Sequence, residues 1–126
     1  MLTICRRFEF AAAHHLPYYM GKCKQIHGHN YFLEVEVSGP IQTREFDKGN
    51  SQVGMILDFG DLKRIINDCV IERLDHQNLN TIWENPTAEI MVGDIAKWIA
   101  EAIDYGDVVR VRLWETSNSF AEWRKD

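Results

Sequence analysis

"HGHNYFLEVEVSGP", residues 27–40, carries the reading of the fold. Tyr31, Leu33, Val35 and Val37 fall at every second position with Glu34 and Glu36 between them. That period of two belongs to a strand with one buried face. Gly39-Pro40 ends it, because proline has no N–H for a continuing ladder. His27 and His29 stand two apart at the start of the same strand, so both rings project from one face. Cys23, four residues before His27, adds another soft ligand, and three such groups in one short stretch suggest a metal.

Upstream, Leu2, Ile4, Phe8 and Phe10 alternate with Thr3, Cys5, Arg7 and Glu9, a second half-buried strand whose apolar phase Arg6 interrupts. If that phase holds, Phe8, Phe10, Ala12 and His14 share a side and His15 points away. Antiparallel pairing of the two strands then brings His14 toward His27 and His29. Downstream, "QTREFDKGNSQ" (42–52) reads as a polar turn or loop, and "VGMIL" (53–57) as a short strand candidate. Asp58 is placed to cap a helix whose stripe is Phe59, Leu62, Ile66 and Cys69, running to about Arg73. "LDHQNLNTIWENP" (74–86) is a polar interruption. Thr87 caps a second helix with the stripe Met91, Ile95, Trp98 and Ala102, and Gly106 breaks it. "DVVRVRLWET" (107–116) is a last strand with Val109, Val111 and Leu113 in phase. The order predicts a single α+β domain over 1–126, with two consecutive helices on one face of an antiparallel sheet. The other face mixes charged and apolar residues and is either solvated or covered by another subunit.

The 126 residues are enough for one core without a staple, and 45% hydrophobic with 26% charged residues is ordinary for a globular chain. The net charge of −5 and the absence of a long Lys/Arg run argue against non-specific nucleic-acid binding. No apolar run approaches the ~18 residues of a membrane span. "MLTICRRFEF" has charges where a signal peptide needs its apolar region. Three cysteines, an odd number, read as free thiols in a cytoplasmic protein, Cys69 as a small core residue.

His14, His27 and His29 would make three neutral imidazole ligands for Zn²⁺ with one position open, the pattern of a catalytic site. Unconnected loop histidines are the alternative. Cys23 lies between Lys22 and Lys24, whose ammonium groups favour thiolate. Spacing alone does not say whether it is a fourth ligand or a base. Asp75-His76 pairs a carboxylate with an imidazole in a loop, although adjacent residues rarely bond each other's side chains. Glu115 continues the apolar phase of Val111 and Leu113, so its carboxylate needs a buried donor partner. That partner is an internal arginine or a ligand with two parallel N–H groups, unless Glu115 is an ordinary strand-end residue.

Six short motifs in order, "FEFAAAHHL" (8–16), "CKQIHGH" (23–29), "MILDFGDLK" (55–63), "LDHQNLN" (74–80), "ENPTAE" (84–89) and "LWET" (113–116), resemble the 6-pyruvoyl-tetrahydropterin synthase / 6-carboxy-tetrahydropterin synthase family. The resemblance implies His14, His27 and His29 as zinc ligands and Cys23 as a catalytic base rather than a ligand. It implies that Asp75 and His76 complete a proton relay across a subunit boundary, and that Glu115 anchors the pterin ring. It implies the tunnelling fold: four-stranded antiparallel sheets assembled into barrels, as a homohexamer of two stacked trimers with sites at interfaces. Three residues between the cysteine and H-G-H resemble the carboxy-forming branch. The activity implied is conversion of 7,8-dihydroneopterin triphosphate to 6-carboxy-5,6,7,8-tetrahydropterin, acetaldehyde and triphosphate, in queuosine and 7-deazaguanine biosynthesis. Lys22, Lys24, Arg6 and Arg7 are candidates for the triphosphate. His15 stands where many relatives carry arginine, and Trp123 where tyrosine is usual. The alternatives are the pyruvoyl-forming synthase, a non-catalytic zinc-binding assembly protein, and, more distantly, a zinc hydrolase, for which no H-E-x-x-H is present.

Overall fold

The computed structural model describes residues 1–43 and 51–126, so most of the turn expected at 42–52 lies outside the described residues. Two long antiparallel strands, β1 (Thr3–His14) and β2 (His27–Ser38), form the centre. Their register pairs Phe8 with Leu33, Phe10 with Tyr31, Ala12 with His29 and His14 with His27. The expected phase holds from Phe8 onward: Phe8, Phe10, Ala12 and His14 are buried on one side, opposite Tyr31, Leu33, Val35 and Val37. Arg6 breaks the apolar row because its guanidinium donates to the Phe59 carbonyl at 2.9 Å, at the mouth of the first helix.

That helix runs as α1 (Phe59–Ile66), a π-helical turn (Asn67–Ile71) and α2 (Glu72–Leu74). Asp58 caps it, accepting from the backbone N–H groups of Gly60 and Asp61 at 2.9 and 3.1 Å. Its buried positions are Leu62, Ile66, Val70 and Leu74, each four apart. In a strict α-helix each step of four over-rotates by about 40°, and the row would wind off the sheet. The π turn widens the coil and keeps Val70 and Leu74 inward. Cys69, expected in the stripe, is therefore half-buried beside the core, and Phe59 lies exposed.

The segment read as a polar interruption is anchored throughout by buried Leu79, Trp83 and Pro86. It carries a two-residue strand, β3 (Gln77–Asn78), parallel to β1. Thr87 caps α3 (Ala88–Ala102) by accepting from the Ile90 N–H. The buried face of α3 is Ala88, Met91, Val92, Ile95, Ala96 and Ile99. Trp98, expected in the stripe, is only partly buried and stacks on Trp83 at 5.5 Å beneath the Arg73 guanidinium, while Ala102 is exposed. Gly106, at φ 81°, turns the chain into β4 (Asp107–Thr116); a Cβ there would meet the Ser38 carbonyl oxygen and Val37 Cγ1 at 2.9 Å.

Two corrections concern the sheet. Among the described residues it has five strands in the order β3-β1-β2-β4-β5, not four, and β3 makes it mixed rather than antiparallel. The fifth, β5 (Ser119–Arg124), returns along β4 and turns Ala121 and Trp123 toward the core. "VGMIL" forms no strand; Ile56 and Leu57 plug the core from a bend. In β4 the register slips against β2 between Glu36 and Val37, so Val108 is buried instead of Val109, while Val111 and Leu113 keep their places. Both helices pack on one face in a single apolar cluster with Phe10, Tyr31 and Leu113. Among the described residues no helix is long and apolar enough to cross a membrane.

Candidate metal centre and catalytic groups

The end of the β1–β2 ladder brings three imidazoles together. One ring nitrogen from each of His14, His27 and His29 lies within 4.8 Å of the others. His14 is fully buried, the only buried polar or charged residue among the described residues, and the other two are half-buried. His14 Nδ1 lies 2.9 Å from the Pro86 carbonyl oxygen, and His27 Nδ1 lies 2.7 Å from that of Gln25. A carbonyl only accepts, so both Nδ1 atoms carry the proton and donate. In the neutral rings both Nε2 atoms are then acceptors, yet they face each other at 3.1 Å. Two lone pairs at that distance repel unless a cation joins them.

Glu115 sharpens the point. Its Oε1 lies 3.2 Å from His14 Nε2 and 3.4 Å from His29 Nε2. His29 Nε2 is buried and has no hydrogen-bond partner among the described residues. Burial lowers the pKa of His29 against the opposing pull of Glu115, favouring the neutral ring that binds metal. A single proton on His14 could bridge one of these contacts but not all. Convergent acceptors with outer nitrogens pinned by carbonyls are what a divalent cation requires of its ligands. The residues fit a metal of the zinc class, and His14, His27 and His29 can hold it.

The sequence phase explains the histidines. It did not reveal their supports: the carbonyls of Pro86 and Gln25 carry no side-chain signal. Asn80 is another. Its side-chain oxygen accepts from the His15 N–H at 2.9 Å and its amide donates to the His15 carbonyl at 3.0 Å, clamping the end of β1. The His15 ring is outside the metal cluster.

Cys23 sits half-buried on a 3₁₀ turn, Lys22–Lys24, and is not among the convergent ligands. Its carbonyl accepts from the Leu16 N–H at 2.7 Å, which ties its loop to the residues just after β1. Lys22 and Lys24 flank it, exposed. Arg6 and Arg7 lie eight and seven residues from His14 along a continuous strand, so at about 3.3 Å per residue they stand more than ~20 Å away. Arg7 is also on the opposite face, over the Phe32 ring at 4.2 Å.

Asp75 and His76 do bond each other, contrary to the expectation for neighbours: Asp75 Oδ2 is 3.0 Å from His76 Nδ1. The reason is backbone conformation. His76 has φ 60°, the left-handed region unusual outside glycine, which folds its ring back toward the preceding residue. Its N–H donates to the Ala11 carbonyl at 2.6 Å, and Asp75 Oδ1 accepts from the Ala11 N–H at 3.0 Å. That N–H, with help from His76, holds the Asp75 carboxyl below its usual range. The His76 ring itself is exposed and borders an open hollow of about 510 Å³ with Ala11, Ala13, Gly28 and His29.

Glu115 occupies a second bulge. β4 and β5 pair Trp114 with Phe120 and then Thr116 with Ser119, so Glu115 is skipped. Released from the ladder, it borders both the histidines and a cleft of about 460 Å³ lined by Ala88, Glu89, Val92, Ser119 and Phe120.

The chain itself has counterparts among known proteins. The family model described as 6-pyruvoyl tetrahydropterin synthase matches residues 3–126. A 6-carboxy-5,6,7,8-tetrahydropterin synthase from Haemophilus influenzae is 30% identical over 146 residues, covering 99% of this chain and all of the relative. A dihydroneopterin monophosphate aldolase from Pyrococcus furiosus is 39% identical over 128 residues, covering 95% and 96%. The solved 6-pyruvoyl tetrahydropterin synthase of Caenorhabditis elegans shares the fold with a TM-score of 0.81 at 22% identity, covering 99% of this chain and 96% of that one. The chain belongs to the 6-pyruvoyl tetrahydropterin synthase family.

Proposed function

We propose that the protein is a zinc-dependent 6-carboxy-5,6,7,8-tetrahydropterin synthase, converting 7,8-dihydroneopterin triphosphate to 6-carboxytetrahydropterin, acetaldehyde and triphosphate, in queuosine and 7-deazaguanine biosynthesis. That it is a lyase of the tetrahydropterin synthase type follows from its family. The observation that carries the metal-dependent reading is the His14–His27 contact, two acceptor nitrogens 3.1 Å apart with both outer nitrogens bonded to carbonyls. Zinc held by His14, His27 and His29 supplies Lewis-acid polarisation of the substrate's side-chain oxygens. Cys23, free of the ligand cluster, takes a proton from the substrate side chain as thiolate. His76, oriented by Asp75, handles the complementary proton, and its exposed ring suits work on a site completed by a neighbouring subunit. Glu115 receives the paired N–H donors of the pterin ring from the adjoining cleft. Lys22 and Lys24 are the cations best placed near Cys23 for phosphate. The assembly is a homohexamer of two trimers, its barrel built from the charged sheet faces.

Incubation with 7,8-dihydroneopterin triphosphate should release acetaldehyde and triphosphate. A pyruvoyl product without acetaldehyde would assign the other synthase. The 39% identity to a monophosphate aldolase favours a second reading, retro-aldol cleavage of 7,8-dihydroneopterin monophosphate. Release of a phosphorylated two-carbon aldehyde from that substrate would select it. Absence of turnover on every pterin would leave a non-catalytic zinc protein.

A further inference from the structure

The position of Glu115 conflicts with a purely substrate-binding role. A carboxylate that receives two parallel N–H donors needs both oxygens directed at the ring. Here Oε1 is lodged against His14 Nε2 and His29 Nε2, at 3.2 and 3.4 Å. Donors about 2.0–2.1 Å from a tetrahedral ion are separated by about 3.3–3.4 Å, the edge length those bonds dictate. The His14–His27 separation, 3.1 Å, and both Glu115 separations are of that size. Glu115 thus stands toward His14 and His29 as a fellow ligand would, and among the described residues His29 Nε2 has no hydrogen-bond partner to satisfy it.

The backbone supplies an independent reason. The bulge between Trp114 and Thr116 takes Glu115 out of the β4–β5 pairing, and β2 pairing ends at Trp114. A residue held by neither neighbour can turn without breaking a ladder bond, and bulges of this kind commonly re-aim one side chain. The two places it can serve adjoin each other, because Glu115 also lines the cleft beside the start of α3.

We propose that Glu115 is the fourth protein ligand of the metal in the substrate-free enzyme and leaves it for the pterin ring when substrate binds. At rest the site is closed by its own carboxylate, and ring recognition opens it. This rests on the metal-dependent reading above.

The test uses the cobalt-loaded full-length protein, wild type and Glu115→Gln. Wild type should show the strong visible absorption of four-coordinate cobalt and respond weakly to azide. Neopterin should change that spectrum. In Glu115→Gln, water takes the carboxylate's place: the visible bands should shift, azide should bind readily, and zinc affinity by chelator competition should weaken by about tenfold or more. Far-UV circular dichroism checks that the variant is folded. Equal spectra and equal zinc affinity in the two proteins overturn the proposal. So does a wild-type spectrum that is already five- or six-coordinate and takes azide freely, a result independent of the variant. A wild type that takes up neither cobalt nor zinc removes the metal-dependent reading itself, and this proposal with it.

Discussion

Two clusters of titratable side chains lie on opposite faces of the same sheet, and they are built by opposite rules. On the face away from the helices, one cross-strand row reads Arg7, Glu34, Arg112, Glu122, with signs alternating across four strands. In the next row Glu36 and Arg110 bond directly, and Arg110 Nη1 reaches Glu122 at 3.3 Å. Arg112 binds Glu122 through Nη2 at 2.7 Å and covers the Phe120 ring. Glu34, Glu36, Glu122, Arg110 and Arg112 each have an opposite charge within reach, and Arg7 covers the Phe32 ring. At the end of the helix-covered face, His14, His27, His29 and Glu115 bring acceptors to acceptors. Paired charges stabilise a fold, whereas unpaired convergent acceptors call for something the chain does not contain.

The largest expected effect tests that distinction directly. His27→Ala should abolish stoichiometric metal binding and lower turnover by about a thousandfold or more, the scale of several kcal/mol of metal polarisation. Normal metal content in this variant, read by atomic absorption, would break the comparison. Next, Cys23→Ala should lower kcat by about 10²–10⁴-fold with metal content unchanged, because it removes proton transfer and no ligand. Loss of metal would move Cys23 into the cluster.

Arg110→Met addresses the other face. It should cost about 1.5–3 kcal/mol in urea unfolding, the worth of hydrogen bonds to charged groups, and leave metal uptake intact. The pH dependence has a definite sign. The hydrogen bond from Arg110, followed by that from Thr3, holds the Glu36 carboxyl below its usual range. A group depressed in the folded state contributes fully above its unfolded pKa and loses that contribution as pH falls through the folded value. Wild type should therefore lose stability across the acid carboxylate range, and Arg110→Met should lose less. The smallest effect belongs to Thr87→Ala. It removes the cap of α3 beside Pro86 and should cost about 1 kcal/mol in thermal unfolding, with metal affinity nearly unchanged.

Most of the catalytic candidates were visible in the sequence, for reasons local to their elements. His27 and His29 declare themselves by spacing two on a strand, and His14 by the phase of Phe8, Phe10 and Ala12. Asp58 and Thr87 are legible as caps because their chemistry acts within three residues. The Asp75–His76 bond was not legible, since it depends on a left-handed backbone at His76 that Ala11 holds from another strand. Strand β5 is not legible because its hairpin turns on Ser117-Asn118 rather than a glycine signal, and its outward row mixes Phe120 with charged Glu122 and Arg124.

The sequence by itself determined which faces are apolar, where the helices start, and that three histidines share one side of two paired strands. Each of these follows from period or from hydrogen bonds between near neighbours. The tertiary structure alone decided the two β4 bulges, the π turn that carries the helix row to Leu74, and the carbonyls that set the proton on His14 and His27. These are matters of register between distant segments. One skipped residue in a ladder redirects a side chain completely, and nothing in the local pattern of "LWET" says that Glu115 is the one skipped.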